Sequence, residues 1–339
     1  MKLILHIGTE KTGTTSIQRS LAKDRDVLGT RGNLYPRLFG SENHMEIAVA
    51  AMDTNPGDEL QMLELGRQAC SHDEYRERLV KALTAELATG RFDRLIISNE
   101  HCHSRLRSPS MVGRLLGFFA PIADDIEVIV YLRRQDRLAV SLHSTVLKLG
   151  GAGAVFPAIW PSELPYYFDF QRMLGVYAAA AGRSKLTVRL YEAERLISGN
   201  VVEDFYATAN LGLRPSSMPR LNTSLSAIQA AFLLRFNAIF PLVSNGQINK
   251  ERGPIFAAIR NVGQGPPYRP AREEAIRFAA AFAEGNAAVR RDFFPELDRP
   301  TLFDGDFSGY PEVSNAELLT EDLLFQFIAA IWRFRQNAK

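Results

Sequence analysis

Met1-Lys2-Leu3-Ile4-Leu5-His6-Ile7-Gly8-Thr9-Glu10-Lys11-Thr12-Gly13-Thr14-Thr15-Ser16-Ile17-Gln18-Arg19-Ser20-Leu21 opens the chain and predicts a strand, a turn and a helix in succession. Leu3, Ile4, Leu5 and Ile7 form a near-continuous apolar run, the pattern of a parallel strand covered on both faces. Gly8 to Ser16 is rich in glycine and hydroxyl side chains, and a helical pattern starts at Ser16. Such a turn sets successive backbone N–H groups at a helix amino terminus, where unpaired donors and the macrodipole favour an anion. Glycine at 8 and 13 lets the chain approach a phosphate closely, and Thr14, Thr15 and Ser16 add hydroxyl donors.

Three further strands are expected at Arg94-Leu95-Ile96-Ile97-Ser98, at Ile126 to Leu132 and at Lys185 to Tyr191. Helical stretches lie between them, from Asp73 to about Leu87, from Met111 to Phe119 and from about Asp136, with another from Val201 to Ala209. Strands alternating with helices imply βαβ units and a mostly parallel sheet. Residues 22–75 read as mixed and polar, with turn signals at Arg31-Gly32-Asn33 and Asn55-Pro56-Gly57. Beyond Leu213 the pattern is helical, at Ser226 to Phe240, Ala271 to Phe282 and Leu318 to Phe334, with a Gly- and Pro-rich loop from Gly253 to Pro270. Asn222-Thr223-Ser224-Leu225-Ser226 reads as a helix start with Ser224 or Ser226 as the cap. The expectation is one α/β domain over residues 1–339, helix-rich from about 214 to 339.

The 339 residues include 40 Lys and Arg against 38 Asp and Glu, a formal charge of +2. No bulk basic field points to nucleic acid, so any bound anion must be held by a local site. Two cysteines, Cys70 and Cys102, form no disulfide framework and no Cys-x-x-Cys pair, as in a reducing compartment. The first residues lack the length and cleavage site of a signal peptide, and no stretch has the ~18–20 apolar residues of a membrane span. The expected location is the cytoplasm, with no integral membrane segment.

Gly8 and Gly13 have the spacing of the nucleotide-triphosphate loop, but Thr14 stands where that loop has its lysine. The lysine sits upstream, at Lys11, reaching over the turn toward an outer bridging oxygen. Lys11-Thr12-Gly13-Thr14-Thr15 resembles the 5′-phosphosulfate loop of sulfotransferases that use 3′-phosphoadenosine 5′-phosphosulfate (PAPS), and the fuller His6 to Gln18 resembles their bacterial branch. The resemblance implies a P-loop-NTPase-like three-layer α/β/α fold with C-terminal helical decoration. It also implies that PAPS is the donor, that adenosine 3′,5′-bisphosphate (PAP) is released, and that Lys11, Thr12, Gly13, Thr14, Thr15 and Ser16 hold the donor.

Arg133 closes the third expected strand, where an open α/β sheet binds ligands, and a guanidinium suits a phosphate bidentately. The family holds the 3′-phosphate with such an arginine and a serine eight residues on, which falls here on Arg133 and Ser141. Arg134 and Arg137 read as solvated charges at a helix start. Ser98-Asn99-Glu100-His101 follows the second expected strand and resembles the bacterial branch. Glu100 is the first candidate for the base that takes the acceptor proton, and His101 the second. His101, Cys102 and His103 are not read as a metal site, since no further Cys or His cluster in the sequence completes one. His44 is a candidate for the acceptor pocket. Tyr166-Tyr167-Phe168 reads as core, with stacking on an adenine or a sugar as the alternative.

The expected reaction is in-line transfer of a sulfuryl group from PAPS to a hydroxyl or amine of a small-molecule or glycan acceptor. A sulfuryl group carries one negative charge, so no magnesium clamp is called for, and no aspartate ends the strand before Asn99-Glu100. A P-loop kinase and a non-catalytic nucleotide-binding protein are the alternatives. Magnesium-dependent ATP turnover is the mark of the first, and tight PAP binding without any activity the mark of the second.

Overall fold

Five parallel strands form the central sheet: β1 (Lys2–His6), β2 (Asn33–Leu34), β3 (Arg94–Ser98), β4 (Asp125–Leu132) and β5 (Leu186–Leu190), in the order β2-β3-β1-β4-β5. In this computed structural model the described residues are 1–38, 42–55, 57–160, 163–217, 224–244, 247–249, 255–316 and 319–337. The chain is α/β, with its parallel sheet flanked by helices as the apolar runs predict. Ile4, Ile96, Ile129 and Tyr131 on one face pack with residues of helix α1 (Thr14–Lys23) and of helix Val201–Thr208. Leu3, Leu5, Leu95, Ile97, Val128 and Val130 alternate with them toward the opposite face and are equally buried. Helices Met45–Ala51, His72–Leu87, Pro109–Gly117 and Phe170–Ala181 pack on one another, the last also against β5.

Register aligns the strand ends. His6 pairs with Ser98 on one side and Ile129 on the other, and Leu132 pairs with Leu190. The chain leaves β1 toward β2 and leaves β4 toward β5, in opposite directions along the sheet. A crevice at the carboxyl ends is therefore expected between β1 and β4.

Chain contacts separate two compact units. The first, Met1–Arg133 with Pro165–Leu221 and Glu284–Phe303, holds the sheet. The second, Arg134–Leu164 with Asn222–Ala283 and Asp304–Lys339, is built on helices Gln135–Leu149, Ala227–Ile239, Arg272–Ala280 and Glu321–Asn337. Leu147, Leu225, Leu233, Ile259 and Phe327 form its core, where the Phe232 and Phe327 rings stack 4.1 Å apart. Ser226 is the cap of helix Ala227–Ile239: its hydroxyl accepts from Gln229 N at 3.0 Å, and the Gln229 side chain accepts from Ser226 N at 3.2 Å. Asn222, Thr223, Leu318, Pro56, Ser41 and the start of the expected 253–270 loop lie outside the described residues.

Two parts of the polar stretch 22–75 are more ordered than its composition suggests. Met45–Ala51 is a helix with Ile47, Ala48, Val49, Ala50 and Ala51 fully or almost fully buried, and Glu59–Gln68 is a second helix. A seven-residue helix buried all round has no polar face, so no helical period shows in its sequence.

Candidate active site

The loop after β1 is pinned from below. Thr9 N and Thr9 Oγ1 both donate to the Tyr131 carbonyl, at 3.0 Å each, and Tyr131 N donates to Gly8 O at 2.7 Å. Thr12 is fully buried and gives its hydroxyl to Thr9 O at 2.6 Å, so its side chain braces the turn. Gly13 takes φ +80° and ψ 16° as the left-handed cap of α1; as a glycine it offers no capping side chain, and no acid lies in the first turn of the helix. The N–H groups at this terminus are oriented for an external anion. A Cβ at Gly13 would stand 2.6 Å from Val201 Cγ1, so the position needs glycine on both conformational and steric grounds.

Lys11 is also left-handed, at φ +65°, a conformation that costs a non-glycine residue about 1 kcal/mol or more and recurs at ligand sites. Burial lowers its ammonium pKa; Glu10 and Glu100 act to raise it and Arg133 to lower it further. Those couplings place one lysine within the fields of groups from three strand ends. Arg133 Nη1 donates to Lys11 O at 2.8 Å, and its guanidinium lies 5.5 Å from the centre of the Tyr191 ring just beyond β5.

Glu100 stands two residues past β3. It crosses close to the β1 loop because Gly8 has no side chain: a Cβ there would be 3.2 Å from both Glu100 Cα and Cβ. Its Oε2 accepts from Gln18 Nε2 at 2.6 Å and from Asn43 Nδ2 at 3.3 Å, and no donor among the described residues reaches Oε1. Asn43 Oδ1 beside it is buried with no partner among the described residues. Gln18, one turn into α1, was visible in the opening stretch, but its contact with a residue 82 positions away was not.

His101 does not continue the strand. Asn99 Oδ1 accepts from His101 N at 2.6 Å and starts a helical turn, His101–Arg105. Two residues apart on a helix is about 200°, so His101 and His103 point apart, where a strand would have set them on one face. His101 Nδ1 lies 3.2 Å from Arg105 Nη1 and 3.8 Å from Glu10 Oε1. Burial pushes Glu10 up, but the Ser104 hydroxyl and the His101 and His103 rings outweigh it and hold the carboxyl at about 2. Tyr167 donates its hydroxyl to Glu10 Oε2 at 3.0 Å. Glu10, Tyr167 and Arg105 thus belong to the site's wall, which the sequence did not single out for Glu10 and Arg105. Tyr166 and Phe168 are buried, as the core reading has them.

Two other candidates have different surroundings. His44 is fully buried, with Nε2 at 2.8 Å from Pro36 O and Nδ1 accepting from Ser98 N at 3.1 Å; burial holds its pKa near 4. Both ring nitrogens are taken, leaving none for an acceptor. Ser141 lies in the second turn of helix Gln135–Leu149, in the second unit, half-buried. Arg134 is not a solvated charge: it is 4% exposed, paired with Asp136 (2.7 Å) and Asp304 (2.8 Å) and stacked 3.9 Å from the Phe307 ring centre. Arg137 joins the same Asp304 at 2.8 Å.

No family model matches the chain, and no curated protein matches it. A crystal structure of a sulfotransferase from Alicyclobacillus acidocaldarius is similar at 15% sequence identity, over 70% of this chain and 92% of that one, with a TM-score of 0.40. A likeness of that size assigns no activity, and function has to be read from the site.

Proposed function

We propose that this chain is a sulfotransferase that moves the sulfuryl group of PAPS to a hydroxyl of an acceptor. The observation that carries the reading is the meeting of Lys11, Glu100 and Arg133 around a helix amino terminus whose cap residue, Gly13, has no side chain. A 5′-phosphate suits the N–H groups of residues 12–15, Ser16 N being engaged with Gly13 O at 2.9 Å, and Arg133 is assigned to the 3′-phosphate. The acceptor oxygen attacks sulfur while Glu100 Oε1 takes its proton. The S–O bond to the 5′-phosphate breaks, PAP leaves with the electron pair, and Lys11 neutralises the bridging oxygen as charge develops there. Glu100 later returns its proton to solvent.

Burial of Lys11 strengthens its field on that oxygen. Gln18 and Asn43 fix one carboxylate oxygen of Glu100 and aim the other, and Asn43 Oδ1, which meets no donor among the described residues, favours an acceptor with hydroxyl groups to donate, such as a sugar. His101 is the alternative base. The transferred group bears one negative charge, so the proposal includes turnover without magnesium. Calorimetric titration with PAP in the presence of a chelator, followed by a screen of sugar acceptors with PAPS, tests it. Binding of PAP and sulfated product that Glu100→Gln abolishes are expected; ATP turnover that needs magnesium, with no affinity for PAP, refutes it.

A further inference from the structure

The helical turn His101–Arg105 fixes which nitrogen of the His101 ring carries the proton. Its first and last side chains share a face, and Arg105 Nη1 reaches His101 Nδ1 at 3.2 Å. A guanidinium has only N–H donors and keeps its charge, so Nδ1 must be the acceptor in that contact. The lone pair then sits on Nδ1 and the proton of the neutral ring on Nε2. A protonated ring would set an N–H against the guanidinium, cation against cation. Glu10 Oε1 is the anion that could draw a proton to Nδ1, but at 3.8 Å it is beyond hydrogen-bond reach. Its carboxylate has the Ser104 and Tyr167 hydroxyls as donors instead. The hold of the two histidine rings on Glu10 belongs to their acid forms, present where that carboxyl titrates at about 2.

Arg105 is itself anchored, by Ser104 Oγ at 2.8 Å from Nη1 and by Asp58 Oδ2 at 3.4 Å from Nε. Turning the imidazole over would cost Nδ1 its donor. Nε2 meets no described residue, and the His101 side chain is 23% exposed. A donor that the described chain does not use thus stands one residue past Glu100 and beside the Glu10-Lys11 turn. A base must turn a lone pair toward the proton it takes, and Nε2 presents a proton. Donation to the attacking oxygen would draw charge from it and oppose Glu100. The useful partner is a second oxygen of the acceptor, which a neighbouring hydroxyl supplies.

Resting on the sulfotransferase reading, we propose that His101 is a specificity-determining hydrogen-bond donor and not a base. Its Nε2–H holds the acceptor hydroxyl adjacent to the one that is sulfated, so the substrate class is a vicinal diol such as a sugar. NMR of the histidine ring nitrogens at neutral pH, with His101→Gln to assign the signals, reads the tautomer without any substrate. A proton on Nε2 and none on Nδ1 is expected, and Arg105→Leu is expected to give mixed tautomers. A proton on Nδ1 of the parent, or a tautomer that Arg105→Leu leaves unchanged, overturns the proposal. Turnover with PAPS is then measured on methyl glucoside, methyl galactoside, methyl mannoside and their monodeoxy forms. On the sugar that is sulfated, His101→Ala is expected to raise KM about tenfold with kcat within about threefold. His101→Gln keeps an N–H at similar reach and is expected to recover most of that loss. Removing the hydroxyl beside the sulfated one is expected to cost the parent about tenfold in kcat/KM and the alanine variant little. Circular dichroism checks that each variant is folded. A kcat loss of about a hundredfold in both His101 variants is the mark of a base and overturns the proposal, as does a parent indifferent to every deoxy form. A chain that binds PAP but sulfates none of the sugars overturns the substrate class alone; a chain without affinity for PAP overturns the sulfotransferase reading itself.

Discussion

Gly13→Ala isolates the backbone demand on which the site rests. Gly13 sits at φ +80°, where an alanine carries roughly 1–2 kcal/mol of strain. Its new Cβ would lie 2.6 Å from Val201 Cγ1, closer than such atoms approach, so the loop or helix Val201–Thr208 must shift. Overpacking of this kind adds about 1–3 kcal/mol, for a total of about 2–5. Val201→Ala alone empties space in the core between α1 and that helix and costs about 2 kcal/mol. In the double variant the clash is gone and only the backbone strain adds to the loss of valine, so the pair is less damaging than the sum by about 1–3 kcal/mol. Urea denaturation of the parent, both single variants and the double variant closes the cycle. Additivity within about 0.5 kcal/mol would show that Val201 does not dictate glycine here. A Gly13→Ala chain as stable as the parent would refute the left-handed cap.

Glu46 gives a pH-dependent prediction. Both its carboxylate oxygens are buried with no partner among the described residues, and burial, helped by the field of Glu64, raises its pKa to about 7. The folded pKa exceeds the unfolded value, so the acid form is favoured by folding and stability is lost as pH rises from about 4.5 through 7. The shift sets an upper bound of about 3 kcal/mol, so Glu46→Gln is expected to stabilise the chain at pH 8 and to have little effect at pH 4.5. Denaturation midpoints that shift equally at both pH values would contradict this. Lys11→Ala is expected to lower turnover with PAPS by about a hundredfold or more while PAP affinity changes little, because its contact strengthens only as the leaving group gains charge; equal losses in kcat and PAP affinity would remove it from that role. Arg133→Ala is expected to weaken PAP binding in calorimetry with little effect on adenosine 5′-phosphate, and unaltered PAP affinity would take Arg133 out of the proposed 3′-phosphate site.

The sheet and its first loop were legible because their signals are local. A parallel strand buried on both faces must be a run of apolar residues, and β1, β3, β4 and β5 each lie within or next to the stretches so read. The glycines at 8 and 13 mark backbone positions whose φ of +97° and +80° few other residues adopt. Short elements escaped. β2 is two residues long, and Met45–Ala51 has no polar face to reveal its period. Helix Ala283–Phe293, from Glu284 on, belongs to the sheet-bearing unit although it lies between helices of the second unit along the chain, an assignment that only long-range contacts make.

Partners were the other blind spot. By itself the sequence determined which side chains emerge at the carboxyl edge, since a strand end and a following turn are properties of neighbouring residues. Only the tertiary structure decided what those side chains meet. Glu10 meets Tyr167 across 157 positions, Glu100 is gripped by Gln18 and Asn43, and His44 spends both nitrogens on backbone. Arg134 turned inward to two carboxylates and a ring instead of into water. The physical reason is one of range: conformational preference acts over a few bonds, whereas charge and hydrogen bonding select partners through space, after the chain has folded to bring them within about 3 Å.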